Sequence, residues 1–324
     1  MKDLSKGDAA DHQAATWGEV DDGHAGQRID NYLLRILKGV PKSHVYRILR
    51  SGEVRVNSRR IDASYRLTLG DRIRIPPVRL AQANAVSAPA TTGLGRRILF
   101  EDEVLIAIDK PAGVAVHGGS GVSSGVIERL RAERPDAKFL ELVHRLDRET
   151  SGLLLIAKKR AALVHLHEQL REGATDKRYL TLAAGRVRDL KRKVSAPLFK
   201  FTRPDGERRV VVDAAGQDAA TIFHRQHVYT DATLLEAQLL TGRTHQIRVH
   251  LSHLGHPIAG DDKYGDFEWN RLLARCGLKR MFLHAARLTL THPLTGLRMD
   301  LESPLPAELS RFLKTCKPWT PVST

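Results

Sequence analysis

The segment from Leu142 to Lys158 reads LVHRLDRETSGLLLIAK. Its ends are apolar, Leu142-Val143 and Leu153 to Ala157. Its middle holds His144, Arg145, Asp147, Arg148, Glu149, Thr150, Ser151 and Gly152, the composition of a loop carried between two strands. Asp147 lies between two arginines. Catalytic groups concentrate on loops that rigid strands hold in place, which makes this loop a candidate site. The competing reading is a surface turn with a solvated charge cluster, which contributes little to stability. The rest of the chain decides between the two.

With 324 residues the chain can bury a substantial core, and the length suggests two domains or three. A formal charge of +15 and a pI near 10.1 point to a polyanionic partner: RNA, DNA or an anionic membrane surface. No apolar run approaches the roughly 20 residues that span a bilayer, and the first residues are acidic and polar, unlike a secretory signal. A cytoplasmic protein with no membrane partner is expected. Cys276 and Cys316 stand far apart and outside any C-x-x-C pattern, so reduced structural thiols are expected and no zinc knuckle is indicated.

Residues 1–26 carry two lysines and six acids with little apolar periodicity, and are expected to form a disordered tail. Residues 27–80 reverse the charge, with 13 Arg and Lys against 4 acids. Ile29, Leu33, Ile36 and Leu37 recur at helical spacing up to Gly39 and Pro41. Ser43 is placed to cap a second helix through Val45, Ile48 and Leu49 that Gly52 closes. Short strands are expected at Val54 to Val56 and Arg72 to Ile75, with a turn at Asn57-Ser58. Arg28, Lys42, Arg47, Arg50 and Arg55 fall largely off the apolar positions, where each neutralised phosphate would add affinity without sequence information. PKSHVYRILRSGEVRVN with the following GDRIRIP resembles an S4-type RNA-binding domain, which implies a small α/β unit that binds RNA. The stretch after Pro76 is rich in Pro, Ala, Ser, Thr and Gly without a period, and residues 81–96 are read as a linker.

A second domain is expected over residues 97–318. Strands are predicted at Ile98 to Phe100, Val104 to Ile108, Arg178 to Ala183, Thr221 to Tyr229 and Leu234 to Leu240. Helices are predicted at Val126 to Arg134 and Ala161 to Arg171. Lys191 to Ala215 reads as an inserted hairpin, and Thr241 to His250 is expected to lead into a helix before Leu254 to Pro257. A closing hairpin follows at Leu288 to Leu301. Strands outnumber helices and do not alternate with them, which argues for an α+β fold with a mixed, largely antiparallel sheet.

Three constellations could carry chemistry. His245, His250, His253 and His256, with His165 and His167, invite a metal reading. No H-E-x-x-H occurs, however, and no carboxylate lies between Thr241 and Gly260, so polar histidines in an RNA-facing groove are preferred and no metal is expected. Asp147 and Glu149 could be the two carboxylates of a glycosidase, but a chain only 5% aromatic offers little for stacking a sugar. The third is Asp147 with Arg145, Tyr179 and Arg248.

At these residues three motifs stand in order: KPAGVAVH at 110–117, HRLDRETSGLLL at 144–155 and GRTHQIRVH at 242–250. Together they resemble the RluA-type pseudouridine synthases. GHPIAGDDKYGD at 255–266 and RMFLHAARLTLTHP at 280–293 further resemble the branch of that family that modifies the large ribosomal subunit. The resemblance implies the pseudouridine synthase fold and the isomerisation of several uridines in 23S ribosomal RNA, by a monomer that needs no cofactor. It implies that Asp147 is the catalytic aspartate, that Arg248 pairs with it and that Tyr179 is the general base. It further implies that Arg145 fills the gap left by the extruded base. His144, Ile247, Lys110 and His117 are expected at the substrate, the last two also folding the site. The rivals are a non-enzymatic rRNA-binding or ribosome-assembly protein and a metal-dependent hydrolase.

Overall fold

The computed structural model describes residues 15–21, 23–37, 39–78, 93–118 and 124–319. These described residues divide into two compact units, one drawn from those up to position 78 together with Asp136–Phe139, the other from those at 93–135 and 140–319.

In the first unit, strand β1 (Thr16–Glu19) precedes helices α1 (Ile29–Ile36) and α2 (Lys42–Arg50), followed by β2 (Arg55–Val56), β3 (Arg59–Arg60) and β4 (Arg72–Ile75). The four strands form an antiparallel sheet in the order β1-β4-β2-β3. Ile29, Leu33, Val45, Ile48, Leu49, Val54 and Ile73 close the core between helices and sheet. Asn57 and Ser58 both adopt positive φ, the geometry of a two-residue hairpin turn. The Asn57 side chain ties that turn to β4 by donating to Asp71 at 2.8 Å and accepting from the Arg72 amide at 2.9 Å.

Three expectations change here. Residues 16–26 are not a tail: Thr16–Glu19 pairs with Ile75 to Arg72, and Val20 is buried in the core. A four-residue strand is too short to declare itself by alternation, and its acidic neighbours mask it; residues 1–14 lie outside the described residues. Ser43 is not a cap, because helix α2 starts at Lys42 behind Pro41, whose fixed φ already suits a helix start. Of the linker read at 81–96, residues 81–92 lie outside the described residues. Residues 94–97 belong to the second unit as a short 3-10 turn with Leu94 buried, and the Leu94 and Gly95 amides donate to Glu133.

The second unit runs β5 (Ile98–Glu101), β6 (Leu105–Lys110), α3 (Val126–Glu133), β7 (Glu141–Leu142), β8 (Ser151–Ala157), α4 (Arg160–Glu172) and β9 (Asp176–Ala184). Next come β10 (Lys191–Ser195), β11 (Leu198–Thr202), β12 (Arg208–Val212), β13 (Ala220–Val228), β14 (Ala232–Leu239) and α5 (Gln246–His253). It closes with α6 (Phe267–Arg275), β15 (Leu283–Thr291), β16 (Arg298–Glu302) and α7 (Ala307–Thr315). Ten strands form one mixed sheet whose path is β10-β13-β14-β9-β15-β8-β6-β5, with β16 on β15 and β7 on β8. Every pairing in it is antiparallel except β8 with β15. The α+β class and the mixed, largely antiparallel sheet are therefore as the sequence predicts.

Strand β8 is buried along its whole length, as its unbroken apolar run requires of a strand covered on both faces. Each of its large aliphatic side chains contributes roughly 1.5–3 kcal/mol on burial. Only β11 and β12 form the isolated hairpin expected over 191–215; β10 joins the main sheet beside β13. Helices α6 and α7 were not expected. Helix α6 fully buries none of its residues, although Trp269 and Leu273 pack against the core, while α7 buries Leu309 and Phe312.

Candidate active site

The loop 143–150 enters β8 at the one place where the sheet turns parallel. Ser151 and Gly152 pair with His284 and Ala285 of β15. Gly152 has φ +107°, and an added Cβ would collide with the Ala285 carbonyl, so only glycine lets the two strands approach there. The loop is closed by the Thr150 amide donating to the Asp147 carbonyl at 3.1 Å. From below, Lys110 at the end of β6 donates its ammonium protons to the carbonyls of Pro111, Val114 and Arg148 at 2.9, 2.8 and 3.0 Å. Burial drives its pKa down to about 7. Lys110 is thus a fully buried pin of the loop's backbone; the expectation that it reaches substrate fails because no part of it is accessible.

Asp147 faces helix α5. Arg248 Nη1 donates to Asp147 Oδ2 at 3.2 Å, while its Nε and Nη2 donate to Asp261 Oδ2 and Oδ1, both at 2.7 Å. Burial opposes the charge on Arg248, but the paired bonds to Asp261 and the attraction of both carboxylates outweigh it and raise its pKa. Asp261 itself is fully buried; Arg248 and the amides of Lys263 and Tyr264 overcome the burial penalty and hold its carboxyl below the usual range. The guanidinium is therefore locked from behind and presents one N–H to Asp147.

His245, which caps α5, has φ +55°, uncommon for a residue other than glycine. Its Nε2 lies 3.8 Å from Asp147 Oδ2, and its Nδ1 lies 2.8 Å from the Tyr264 hydroxyl. Burial lowers its pKa to about 4 despite the nearby Asp147. Tyr179 projects from β9, where its in-register neighbours are Ala237 and Ala285, small residues that leave room on that face. Burial, with Asp147 adding to it, pushes its phenol above the ordinary value.

Asp147, Tyr179, His245, Ile247, Lys177 and Arg145 share the wall of one cavity of about 670 Å³, a size that accommodates a nucleotide. Arg145 is exposed there, and its guanidinium makes no hydrogen bond or ion pair with any described residue. His144 also borders the cavity, but its Nε2 accepts from the Leu155 amide at 3.2 Å, and burial lowers its pKa to about 4. It acts on the loop rather than outward. His117 is exposed and lies outside the cavity lining, with its Nδ1 2.9 Å from the Gly118 carbonyl. The histidines do not line a common groove: His250 is fully buried between Thr221 and the Ala196 carbonyl, and His256 lies against the Ala184 carbonyl.

Of the histidine set, His245 does line the cavity, but its tie to Asp147 and Tyr264 is not legible in the sequence, and Asp261 and Tyr264 are not singled out there as site residues. Asp261 falls one residue beyond the carboxylate-free span 241–260, inside the GDDKYG string. In the first unit, Lys42, Arg47, Arg50 and Arg55 are exposed on α2 and β2. Arg28 is exposed too but is engaged by the buried Asp30 through bonds of 2.7 and 3.1 Å. Lys42 and its neighbours are thus the groups open to a polyanion.

Comparison with known proteins then matches residues 104–253 to the RNA pseudouridylate synthase family and residues 27–73 to the S4 domain. The chain is 52% identical over 308 residues to ribosomal large subunit pseudouridine synthase C of Pasteurella multocida (strain Pm70), covering 93% of this chain and 94% of that protein. It is 55% identical over 296 residues to the protein of the same name from Escherichia coli (strain K12), covering 90% and 93%. Among solved structures, human RNA pseudouridylate synthase domain containing 4 superposes with a TM-score of 0.56 at 29% identity, covering 69% of this chain and 94% of that one. Human RNA pseudouridylate synthase domain containing 1 shares the fold, with a TM-score of 0.57 at 24% identity over 70% and 90%. Identity above one half, sustained across nearly the full length of both partners, settles kinship: the chain belongs to the RNA pseudouridylate synthase family and carries an S4 domain ahead of its synthase domain.

Proposed function

We propose that this RNA pseudouridine synthase isomerises several uridines of 23S ribosomal RNA, with Asp147 as its catalytic carboxylate, acting as a cytoplasmic monomer without a cofactor. The name shared by its bacterial relatives supports the large ribosomal subunit as the source of substrate. In the reaction the N1–C1′ bond breaks, the uracil turns and a C5–C1′ bond forms. The proton leaving C5 is balanced by one gained at N1.

The observation that carries the assignment is the chain Asp147–Arg248–Asp261. A partly buried carboxylate at a cavity wall is held by a buried guanidinium that a second, fully buried carboxylate fixes. Asp147 Oδ2 accepts one bond from Arg248 and retains a further lone pair, while Oδ1 has no hydrogen-bond partner among the described residues. This is pre-organisation of a nucleophile or charge stabiliser without any change in the protein at the moment of reaction. Arg145, unpaired at the cavity, is suited to fill the stack from which the uridine is withdrawn, an extrusion that costs a few kcal/mol. Tyr179 is a neutral phenol in the resting site, because burial and the adjacent Asp147 disfavour its anion. Once the C5–C1′ bond has formed, the phenol gives its proton to N1 and the resulting phenolate takes the C5 proton, which returns Tyr179 to its resting form and balances the transfer from C5 to N1.

The test combines two measurements. Pseudouridines are mapped in ribosomal RNA from cells with and without the gene, and purified Asp147→Asn is assayed on a 23S transcript. Sites missing only in the deletion strain, and a variant that binds RNA without forming product, are expected. Turnover by Asp147→Asn at the normal rate would overturn the assignment.

A further inference from the structure

We propose that His245, aimed by Tyr264, reads the ribose 2′-hydroxyl of the target uridine together with Asp147, so that the pair both selects RNA and sets C1′ against the carboxylate. This inference rests on Asp147 as the catalytic carboxylate.

Hydrogen-bond accounting fixes which imidazole nitrogen carries the proton. The Tyr264 hydroxyl already accepts from the Val210 amide at 3.1 Å, and its other contact is His245 Nδ1 at 2.8 Å. The hydroxyl has one proton to place and no other acceptor among the described residues, so it donates to Nδ1. Nε2 must then carry the imidazole proton. The ring is neutral, since burial holds its pKa near 4.

Nε2 and Asp147 Oδ2 are 3.8 Å apart, beyond a hydrogen bond, with both residues on the cavity wall. A donor and an acceptor thus face the cavity across a gap that one atom can bridge. Two bonds of about 2.8 Å spanning 3.8 Å meet at roughly 85°, which an oxygen tolerates. The bridging atom must accept from Nε2–H and donate to the carboxylate. Uracil divides these roles between its carbonyls and its ring N–H. In an internal nucleotide the 3′ and 5′ oxygens are esterified, so the 2′-hydroxyl is the one atom with both capacities. That hydroxyl sits on the carbon next to C1′, where the glycosidic bond breaks.

The supports of this geometry are costly enough to imply a use. His245 occupies the left-handed region, at about 1–3 kcal/mol for a residue of this kind. Tyr264 lies with its ring 5.1 Å from the Arg248 guanidinium, and its amide donates to the buried Asp261. The residue that aims His245 is thereby tied to the residue that orients Arg248.

The test uses full-length enzyme and two synthetic RNA substrates that differ only in ribose or 2′-deoxyribose at the target uridine. The variants are His245→Asn, which suits the left-handed backbone but cannot reach, His245→Gln, which retains an N–H donor, and Tyr264→Phe. Wild type should prefer the ribose by about 10- to 100-fold in kcat/KM, the value of one hydrogen bond in a charged network. His245→Asn should reduce the preference to under about 3-fold, with His245→Gln in between. Imidazole ¹⁵N shifts should show the Nε2–H tautomer in wild type and a mixture in Tyr264→Phe, which loss of packing alone does not produce. If His245→Asn is active and keeps the wild-type preference, or if Nδ1 carries the proton in wild type, the inference fails while Asp147 stands. Normal turnover by Asp147→Asn would instead remove the reading beneath it.

Discussion

Replacing Asp261 with Asn is the sharpest probe of how the site is held. The substitution keeps size and shape. The amide oxygen can still accept from Arg248 Nη2 and from the Lys263 and Tyr264 amides, which now share Oδ1 at 2.7, 2.9 and 3.0 Å. The amide nitrogen, however, takes the place of Oδ2 and sets its N–H against Arg248 Nε–H at 2.7 Å, donor to donor. Arg248 would keep its buried charge with Asp147 and the exposed Asp262, whose Oδ1 lies 3.7 Å from Nη2, as its remaining counter-ions. Breaking one partner out of a buried pair costs about 3–5 kcal/mol, which for a unit of this size lowers Tm by roughly 6–20 °C. Arg248 would also turn its fork toward Asp147, rotating the carboxylate and lowering kcat by about 100-fold, as misplacement by an ångström does. Scanning calorimetry and single-turnover pseudouridine formation measure the two effects. The pH dependence has a definite sign. The folded carboxyl is depressed, so its stabilisation is present above its unfolded value near pH 4 and is lost as pH falls below it. The gap between wild type and Asp261→Asn should therefore narrow in acid. A variant with wild-type Tm and wild-type turnover at pH 7 would refute the reasoning, since Arg248 would then need no second carboxylate.

Other expectations follow from particular contacts. Gly152→Ala should lower stability by more than about 3 kcal/mol and reduce activity with it, because the new methyl collides with the β15 backbone beneath the loop; denaturant unfolding tests this. Lys110 releases its proton near pH 7 in the folded state but only near pH 10.4 when unfolded, so stability should rise with pH between those values in wild type and stay flatter in Lys110→Met. Removal of residues 1–26 should destabilise the first unit, because it strips β1 from β4 and uncovers Ile73 and Ile75, which thermal melts of the truncated protein would register. Lys42→Ala with Arg50→Ala should weaken RNA binding and flatten its slope against log salt by about 2, without changing turnover at saturating RNA.

Much of this architecture is legible before any coordinates. Helical spacing at Ile29, Leu33 and Ile36, the apolar run Leu153 to Ala157 and the closing hairpin each specify an element locally, because burial on one face or two leaves a periodic trace. The loop carrying Asp147 announces itself in the same way. Local sequence is silent on which distant groups meet there. Nothing near Asp261 marks it as the partner of Arg248, since a buried acid is written with the same letter as a solvated one. The role of Lys110 is hidden for a related reason: a lysine beside a Pro-Gly turn suggests an RNA contact, yet three carbonyls turned inward make it a structural bolt. Strand β1 escapes because four residues are too few to show alternation, whereas α6 and α7 do carry apolar residues at helical spacing, Trp269, Leu272 and Leu273 and then Leu309, Phe312 and Leu313, a trace that is legible in the sequence.

The parallel pairing of β8 with β15 has a consequence for how the protein comes to life. The strand that seats the Asp147 loop waits for a neighbour encoded more than a hundred residues later, near the end of the chain. During synthesis, the first unit, built from near neighbours, can fold and engage RNA while the loop still lacks its floor. Binding competence should thus precede catalytic competence on each nascent chain, and a truncated product that stops before β15 should hold RNA without ever modifying it.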